Sequence, residues 1–359
     1  MDYDLIVVGT GGMGSAALYY GAKRGLKCLG LDRFPPAHDR GSSHGESRLI
    51  RLSYFEHPDY VPLLRRSYEL WDALDANLLQ RSGGIYCGPA DGVMVSGVLR
   101  SAQVYDLDVR AVSAEEHVQY RRAEGAGAVF EADAGWLPVE LCVQRYLDAA
   151  VALGAEHRWG QTVQGWEPEA DGVRVITSSG SFTAKALVIA GGAWAGDLLP
   201  ELSLPLTVVR KHLHWFRCDD ERYRYGFFYE VPQGLFYGFP ASNGRLKLAE
   251  HTGGDAVDDP LNAPRDMCPV DASRIADFVA EYLPGVQSER LEHKTCFYTR
   301  TPDEHFILDR HPDCDRVAFA AGLSGHGFKF APAIGEALVD LATRGRASVD
   351  VEFLSIRRF

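Results

Sequence analysis

Residues 3–33 read YDLIVVGTGGMGSAALYYGAKRGLKCLGLDR. An apolar run starting at Leu5 leads into a glycine-rich turn, then a stretch with helical character, then a second apolar run that closes on Asp32. Strand, turn, helix and strand in so few residues make a βαβ opening. Inside it, Gly9-Thr10-Gly11-Gly12-Met13-Gly14 fits GxGxxG, and Asp32 lies 23 residues beyond Gly9. Gly9 permits the tight turn, Gly11 lets the backbone approach a pyrophosphate, Gly14 lets helix and strand pack closely, and Asp32 can accept hydrogen bonds from ribose hydroxyls. The pyrophosphate would sit at the helix N-terminus, where unpaired N–H groups favour negative charge. FAD and NAD share this fingerprint. Its place at residue 9 favours FAD, because the rest of the chain must then surround the cofactor.

Outward from this unit, helical periodicity returns over Tyr60 to Leu78, with Leu63, Leu64, Leu70, Trp71 and Leu74 on one face. Short apolar runs broken by turn signals between Gly83 and about Glu140 predict antiparallel strands with a helix between them, and Val143 to Gly154 reads as helix. The continuous apolar run Ala186 to Ala190 predicts a strand buried on both faces of a parallel sheet. Residues 206 to about 300 alternate and are rich in aromatics, as in a second, antiparallel layer, while Val317 to Ala321 and Ala331 to Thr343 return to α/β character. The expected fold class is α/β, an FAD-binding Rossmann-like domain interleaved with an antiparallel-sheet α+β substrate domain. Residues 1–80, 141–205 and 301–359 are assigned to the first and residues 81–140 and 206–300 to the second.

Bulk properties narrow the function. With 37 Lys+Arg against 49 Asp+Glu the formal charge is -12, a field that repels nucleic acid and anionic lipid. No apolar stretch approaches the ~20 residues of a membrane helix, and the first apolar run lacks the basic flank of an export signal. Seven cysteines without a CxxC pair argue against a disulfide framework and against a zinc site. A cytoplasmic enzyme without a metal, acting on a small molecule, is the expectation.

Three further stretches carry candidate chemistry. GSSHGESRLIRLSY, residues 41–54, sets Arg48 and Arg51 three apart, so that they share a face if the segment turns helically. An arginine fork can clamp a carboxylate through two parallel hydrogen bonds, and a solvated basic turn is the plainer alternative. His44 carries the same ambiguity. KTCFYTRTPDEHFILDRHP, residues 294–312, places Cys296 among Lys294, Tyr298 and His305, although an isolated cysteine is most often a small buried hydrophobe. SGHGFKF, residues 324–330, sets Lys329 in a loop before a helix, where Gly325 and Gly327 permit close backbone approach to a ring.

Together GSSHGESRLIR, the run from Tyr229 to Pro240 (YEVPQGLFYGFP), LKLAEH, KTCFYT, DEHFILD and SGHGFKF resemble the monomeric sarcosine oxidase and N-methyltryptophan oxidase family of FAD-dependent amine oxidases. The likeness runs from the first strand to the terminal helix, with the motifs in the family's order. It implies covalent FAD on Cys296 through an 8α-S-cysteinyl bond and a substrate carboxylate held by Arg51 and Lys329. It further implies that Arg48, His44 and Ser47 lie close to the flavin, with Val163, Gly325 and Gly327 as further cofactor contacts. Tyr237, His251 and Tyr298 would line the pocket, and Lys247 would activate O2. A buried ammonium there would stabilise the negative charge that oxygen takes on, so Lys247, Arg48, His251, Tyr237 and Tyr298 form the expected catalytic group.

The implied reaction is oxidation of the C–N bond of a small secondary amino acid by O2, giving an imine that hydrolyses to aldehyde and amine, and hydrogen peroxide, in a monomer. Lys247 with its leucine neighbours could instead be an ordinary strand lysine. Ser47 stands where the family tends to have threonine, Ser43 where a second histidine is usual, and Phe228 where a smaller side chain is expected. An aromatic at 228 would reshape the wall near the amine substituent. A cyclic imino acid such as proline or pipecolate is the alternative substrate, and a carrier in place of O2 the alternative acceptor.

Overall fold

The computed structural model describes residues 1–113 and 115–359. Two large sheets organise it. In the first, the strands run in the order Ile307–His311, Cys314–Ala321, Gly180–Ile189, Tyr3–Val8, Cys28–Leu31 and Glu156–Arg158. The five from Cys314–Ala321 onward are mutually parallel. Tyr3–Val8 lies at the centre with Leu5, Ile6 and Val7 fully buried, as an apolar run between two parallel neighbours must be. The hairpin of Val163–Glu169 and Gly172–Thr177 extends this sheet antiparallel to Gly180–Ile189. That pairing carries the latter strand beyond the expected five residues, so its outer residues Gly180 and Ser181 are exposed while Ala186 to Ile189 are buried.

Helices Gly12–Lys23 and Ala331–Arg344 pack against each other beside this sheet. A Cβ on Gly335 would stand 2.6 Å from the Ala16 Cβ, so the two backbones meet more closely than any larger residue allows. The helix predicted to reach Leu78 ends at Leu74, because Asp75 adopts extended backbone (φ −163°, ψ 114°).

The second sheet has nine strands. Its order is Asp255–Ala256, Thr207–Arg217, Arg245–Glu250, Gly234–Gly238, Gly226–Val231, Gly84–Gly88, Gly127–Glu131 and Val109–Ala111, with Arg290–Arg300 also paired to Thr207–Arg217. Alternation gives it two faces. One carries Phe216, Tyr229 and Phe236 against helix Pro269–Tyr282, with Phe236 stacked on Phe278 at 4.2 Å. The other carries Leu213, Trp215, Ala249, Cys296, Tyr298 and Tyr237 and turns toward the glycine turns of the first sheet.

The segment holding the two arginines does not turn helically. Ser47–Ile50 is a strand, paired antiparallel with Gly135–Pro138. Arg48 and Arg51 therefore share no helical face. The chain leaves the strand after Ile50, and that bend is what returns Arg51 to the side of Arg48.

Candidate active site

The first cleft opens at the carboxyl ends of the parallel strands, the usual ligand position in such sheets. Gly9 has φ +81°, and a Cβ on Gly14 would lie 1.7 Å from the Gly9 carbonyl oxygen, so both glycines are sterically required. A Cβ on Gly11 would meet only the Ser43 Oγ, at 3.8 Å, which leaves its backbone open to a ligand. The Asp32 carboxylate is held in place by the Thr10 N–H at 2.7 Å and the Phe34 N–H at 2.9 Å, which aim it along the cleft wall. Val163, Arg48, Tyr298, Gly325 and Gly327 also line this cleft. His44 is buried, and both its ring nitrogens lack a hydrogen-bond partner. A glycine cradle and an oriented carboxylate fit a bound dinucleotide, and the orphaned imidazole lies next in sequence to Ser43 of the cleft wall.

A smaller cavity, about 60 Å³, abuts the cleft and shares Arg48, Tyr298, Gly325 and Phe328 with it. Gly325 has φ +83° and a Cβ there would fall 2.2 Å from the Tyr298 ring, so loop and aromatic are in direct contact at the junction. Arg51, Lys329, Phe228, Tyr237 and His251 also line the small cavity. Arg51 is fully buried and donates through Nη2 to both oxygens of Glu56, at 2.7 and 2.9 Å, with its guanidinium 4.2 Å from the Tyr54 ring centroid. Lys329 donates from Nζ to the His326 carbonyl at 2.7 Å. The Tyr237 and Tyr298 hydroxyls are 3.3 Å apart, and the His251 ring lies 5.5 Å from that of Tyr298. Phe228 stacks on Tyr86 at 5.0 Å and faces the Arg51 guanidinium at 5.1 Å.

Electrostatics follow from burial. Lys329 is pushed well below the usual lysine range by desolvation and then by Arg51. His251 is held down at about 3, by desolvation first and His326 second, and His44 at about 3, by desolvation and then Arg48. Both rings are therefore neutral at ordinary pH. Burial and the neighbouring Tyr237 raise Tyr298 well above the normal phenol range.

Four expected participants, His44, Ser47, Lys247 and Cys296, are absent from the walls of both cavities. Lys247 is buried, and its Nζ donates to the carbonyls of Gly45 and Ser47, the latter at 2.8 Å, and to Ser47 Oγ at 3.3 Å. Desolvation and then Arg48 push it well below the lysine range, so it lies electrically close to Arg48 while lining neither cavity. Cys296 is 1% exposed and lies one residue before Phe297 and two before Tyr298, both of which line the cleft. Burial raises its thiol pKa, and Arg48, Lys247 and Lys211 oppose that rise. Three of the four cations expected at one cavity, Arg48, Arg51 and Lys329, are there, and Lys247 is out of its lining.

Sequence reasoning missed Glu56, Tyr54 and His326. Glu56 occupies the Arg51 fork, and Tyr54 shares a short hydrogen bond with His326 Nδ1. Glu56 stood five residues from Arg51 and was open to notice as a counter-charge. Tyr54 and His326 are 272 residues apart, and no spacing could join them. Glu131, which accepts from the Leu52 N–H at 2.6 Å and the Tyr86 hydroxyl at 2.8 Å, was missed for the same reason.

The model of the family described as FAD dependent oxidoreductase matches residues 4–341. The chain belongs to that family. Among flavoprotein relatives, it is 39% identical over 376 residues to a monomeric sarcosine oxidase of Arthrobacter sp. (strain TE1826), covering 99% of this chain and 96% of that one. It is 38% identical over 373 residues to an N-methyl-L-tryptophan oxidase of Yersinia pestis (strain Pestoides F), covering 100% of both. The solved structure of NikD, an unusual amino acid oxidase essential for nikkomycin biosynthesis, superposes with a TM-score of 0.87 at 26% identity, covering 98% of this chain and 97% of that one. This FAD-dependent oxidoreductase is thus a flavoprotein amine oxidase by family.

Proposed function

We propose that this flavoprotein oxidises the C–N bond of a small secondary, N-methyl amino acid with O2, yielding an imine that hydrolyses to aldehyde and primary amine, together with hydrogen peroxide. The names of the relatives support the substrate class. The observation that carries the reading is an imbalance of charge. Arg48, Arg51 and Lys329 converge on the small cavity beside the cofactor cleft, and Glu56 is the one carboxylate among its lining residues. Buried cations without counter-charge are costly, so the cavity favours an anionic ligand. A substrate carboxylate reaching Arg51 would share or replace Glu56 and gain Lys329 as a second partner.

Bound FAD supplies the two-electron acceptor, and the chain supplies everything around it. Arg51 and Lys329 hold the carboxylate and thereby aim the amine at the junction with the cleft, where Tyr298 and Gly325 lie. The same positive charges disfavour a protonated amine, leaving the nitrogen lone pair free for oxidation. His251 and the hydroxyl pair Tyr237 and Tyr298 offer neutral polar contacts, and Phe228 against Tyr86 walls off water. Lys247, buried beside Arg48, adds positive charge where oxygen is reduced. By this reading the parallel-sheet part, residues 1–80, 141–205 and 301–359, holds the cofactor, and residues 81–140 and 206–300 hold the substrate. The protein works as a monomer in the cytoplasm, where seven unpaired cysteines stay reduced.

Two experiments test this. Anaerobic mixing with a panel of N-methyl and cyclic amino acids, followed by oxygen, is expected to bleach the flavin and restore it with peroxide release. A panel that leaves the flavin oxidised sinks the proposal. The covalent link is tested by acid precipitation, where colour should stay with the pellet, and in Cys296→Ala pass to the supernatant.

A further inference from the structure

The far face of the second sheet, away from the cofactor, carries an unusual group. His212 and His214 alternate along Thr207–Arg217 and His293 is paired beside His214 on Arg290–Arg300. His212 Nδ1 and His293 Nε2 are 2.8 Å apart, and His214 Nε2 lies 2.7 Å from Asp271 on helix Pro269–Tyr282. One proton serves the His212–His293 contact. With Nδ1 donating, His212 Nε2 is left as a bare lone pair. That atom is buried and without a partner, in a side chain only 3% exposed. Its ring, the Asp255 carboxylate and the Cys268 sulfur bring their ligand atoms within 4.8 Å of one another. Cys268 precedes the helix and its side chain makes no capping hydrogen bond, so the sulfur is uncommitted.

We propose that His212 Nε2, Asp255 and Cys268 bind a divalent zinc-class cation, with the fourth position open to water. The donor set of nitrogen, sulfur and oxygen matches zinc, whose tetrahedral ligands lie about 3.3–3.8 Å apart. Half-buried Cys268 and exposed Asp255 can close that difference by side-chain rotation. The supporting contacts expected around metal ligands are also present. His293 fixes the His212 ring, and Arg210 holds one Asp255 oxygen at 2.8 Å while its other arm donates to the Pro264 carbonyl at 3.0 Å. No CxxC announces the site because its ligands come from two strands of the sheet and the residue before a helix.

The ion would clamp the chain between Asp255 and Cys268 onto strand Thr207–Arg217. Arg265 in that stretch donates to the carbonyls of Asp39 at 2.7 Å and Arg40 at 3.1 Å, beside His38 and Gly41 at the mouth of the cofactor cleft. Metal binding therefore braces the rim of the flavin site without touching it.

The test uses the flavin-loaded protein, passed through EDTA, gel-filtered, incubated with zinc chloride and gel-filtered again. One zinc per chain should remain, and it should raise the thermal midpoint. Cobalt chloride in place of zinc should give tetrahedral d–d absorption on the long-wavelength side of the flavin bands and a sulfur-to-metal charge-transfer band. Cys268→Ala should abolish the charge-transfer band, and both it and Asp255→Asn should weaken zinc retention at least about tenfold, with Cys314→Ala as the unaffected control. Wild-type protein that retains no zinc, or Cys268→Ala protein that retains as much as wild type, overturns the proposal.

Discussion

Arg51 carries more of the site than any other single side chain. It is buried, faces three aromatic rings, and spends both hydrogen bonds of one nitrogen on Glu56. Removing one member of a buried charged pair costs about 2–5 kcal/mol, so Arg51→Met should lower kcat/KM for the amino acid by about 10²–10³-fold. Peroxide release at varied substrate measures this, and a change under tenfold would place the carboxylate elsewhere. Glu56→Gln tests the converse. It removes the resident anion, so a simple carboxylate inhibitor should bind several-fold tighter, read from its perturbation of the flavin spectrum. Weaker binding in Glu56→Gln would mean that Glu56 orients Arg51 and does not compete for it. At this scale the sequence offered residue types and the structure offered partners. Arg51 was legible as a candidate carboxylate clamp, while its neighbour Tyr54 and the distant His326 joined the surroundings of the cavity only through contact.

At the scale of elements, the glycine turn and its helix behave as one unit. The Gly14 position admits no Cβ, since that atom would overlap the Gly9 carbonyl oxygen. Gly14→Ala must push the helix Gly12–Lys23 off the central strand, at a cost of about 1–3 kcal/mol for overpacking, and in doing so open the cradle. The purified variant should carry far less than one FAD per chain and melt earlier, as flavin absorbance against protein and a thermal scan would record. Full flavin occupancy would contradict the reading of that turn. This unit was legible because its constraints are local: tight turn, close approach, helix start. Whether the arginine segment turns helically was left open, because its strand depends on Gly135–Pro138, some ninety residues away, and no property of residues 47–50 alone announces that partner.

The whole molecule holds its cations and histidines in dry surroundings, and that arrangement has a pH signature. His44 and His251 have pKa values near 3 in the folded protein against 6.5 when unperturbed. Between those values the unfolded chain takes up protons that the folded chain refuses, so this stability is intact above pH 6.5 and falls as pH drops toward 3. The loss should approach about 3–4 kcal/mol for each ring by pH 4, at about 1.4 kcal/mol for each tenfold difference in proton affinity between the two states, before screening and relaxation reduce it. Thermal midpoints from pH 7 to 4 should fall, and more gently in His44→Gln. Parallel slopes for the two proteins would show that His44 is protonated in the fold.

The sequence by itself determined the βαβ opening, the presence of a mainly parallel and a mainly antiparallel sheet, and the family, because glycine sterics, hydrophobic period and long motifs are written in neighbouring residues; the parallel pairing of Gly226–Val231 with Gly84–Gly88 inside the second sheet was not written there. Tertiary structure alone decided which charges meet. The tertiary fold set Arg48, Arg51 and Lys329 around one cavity, left Lys247 and Cys296 out of its lining, and laid Glu56 on the arginine fork. Coulomb energy depends on distance through space and on the dryness of the surroundings, and neither is a property of position along the chain.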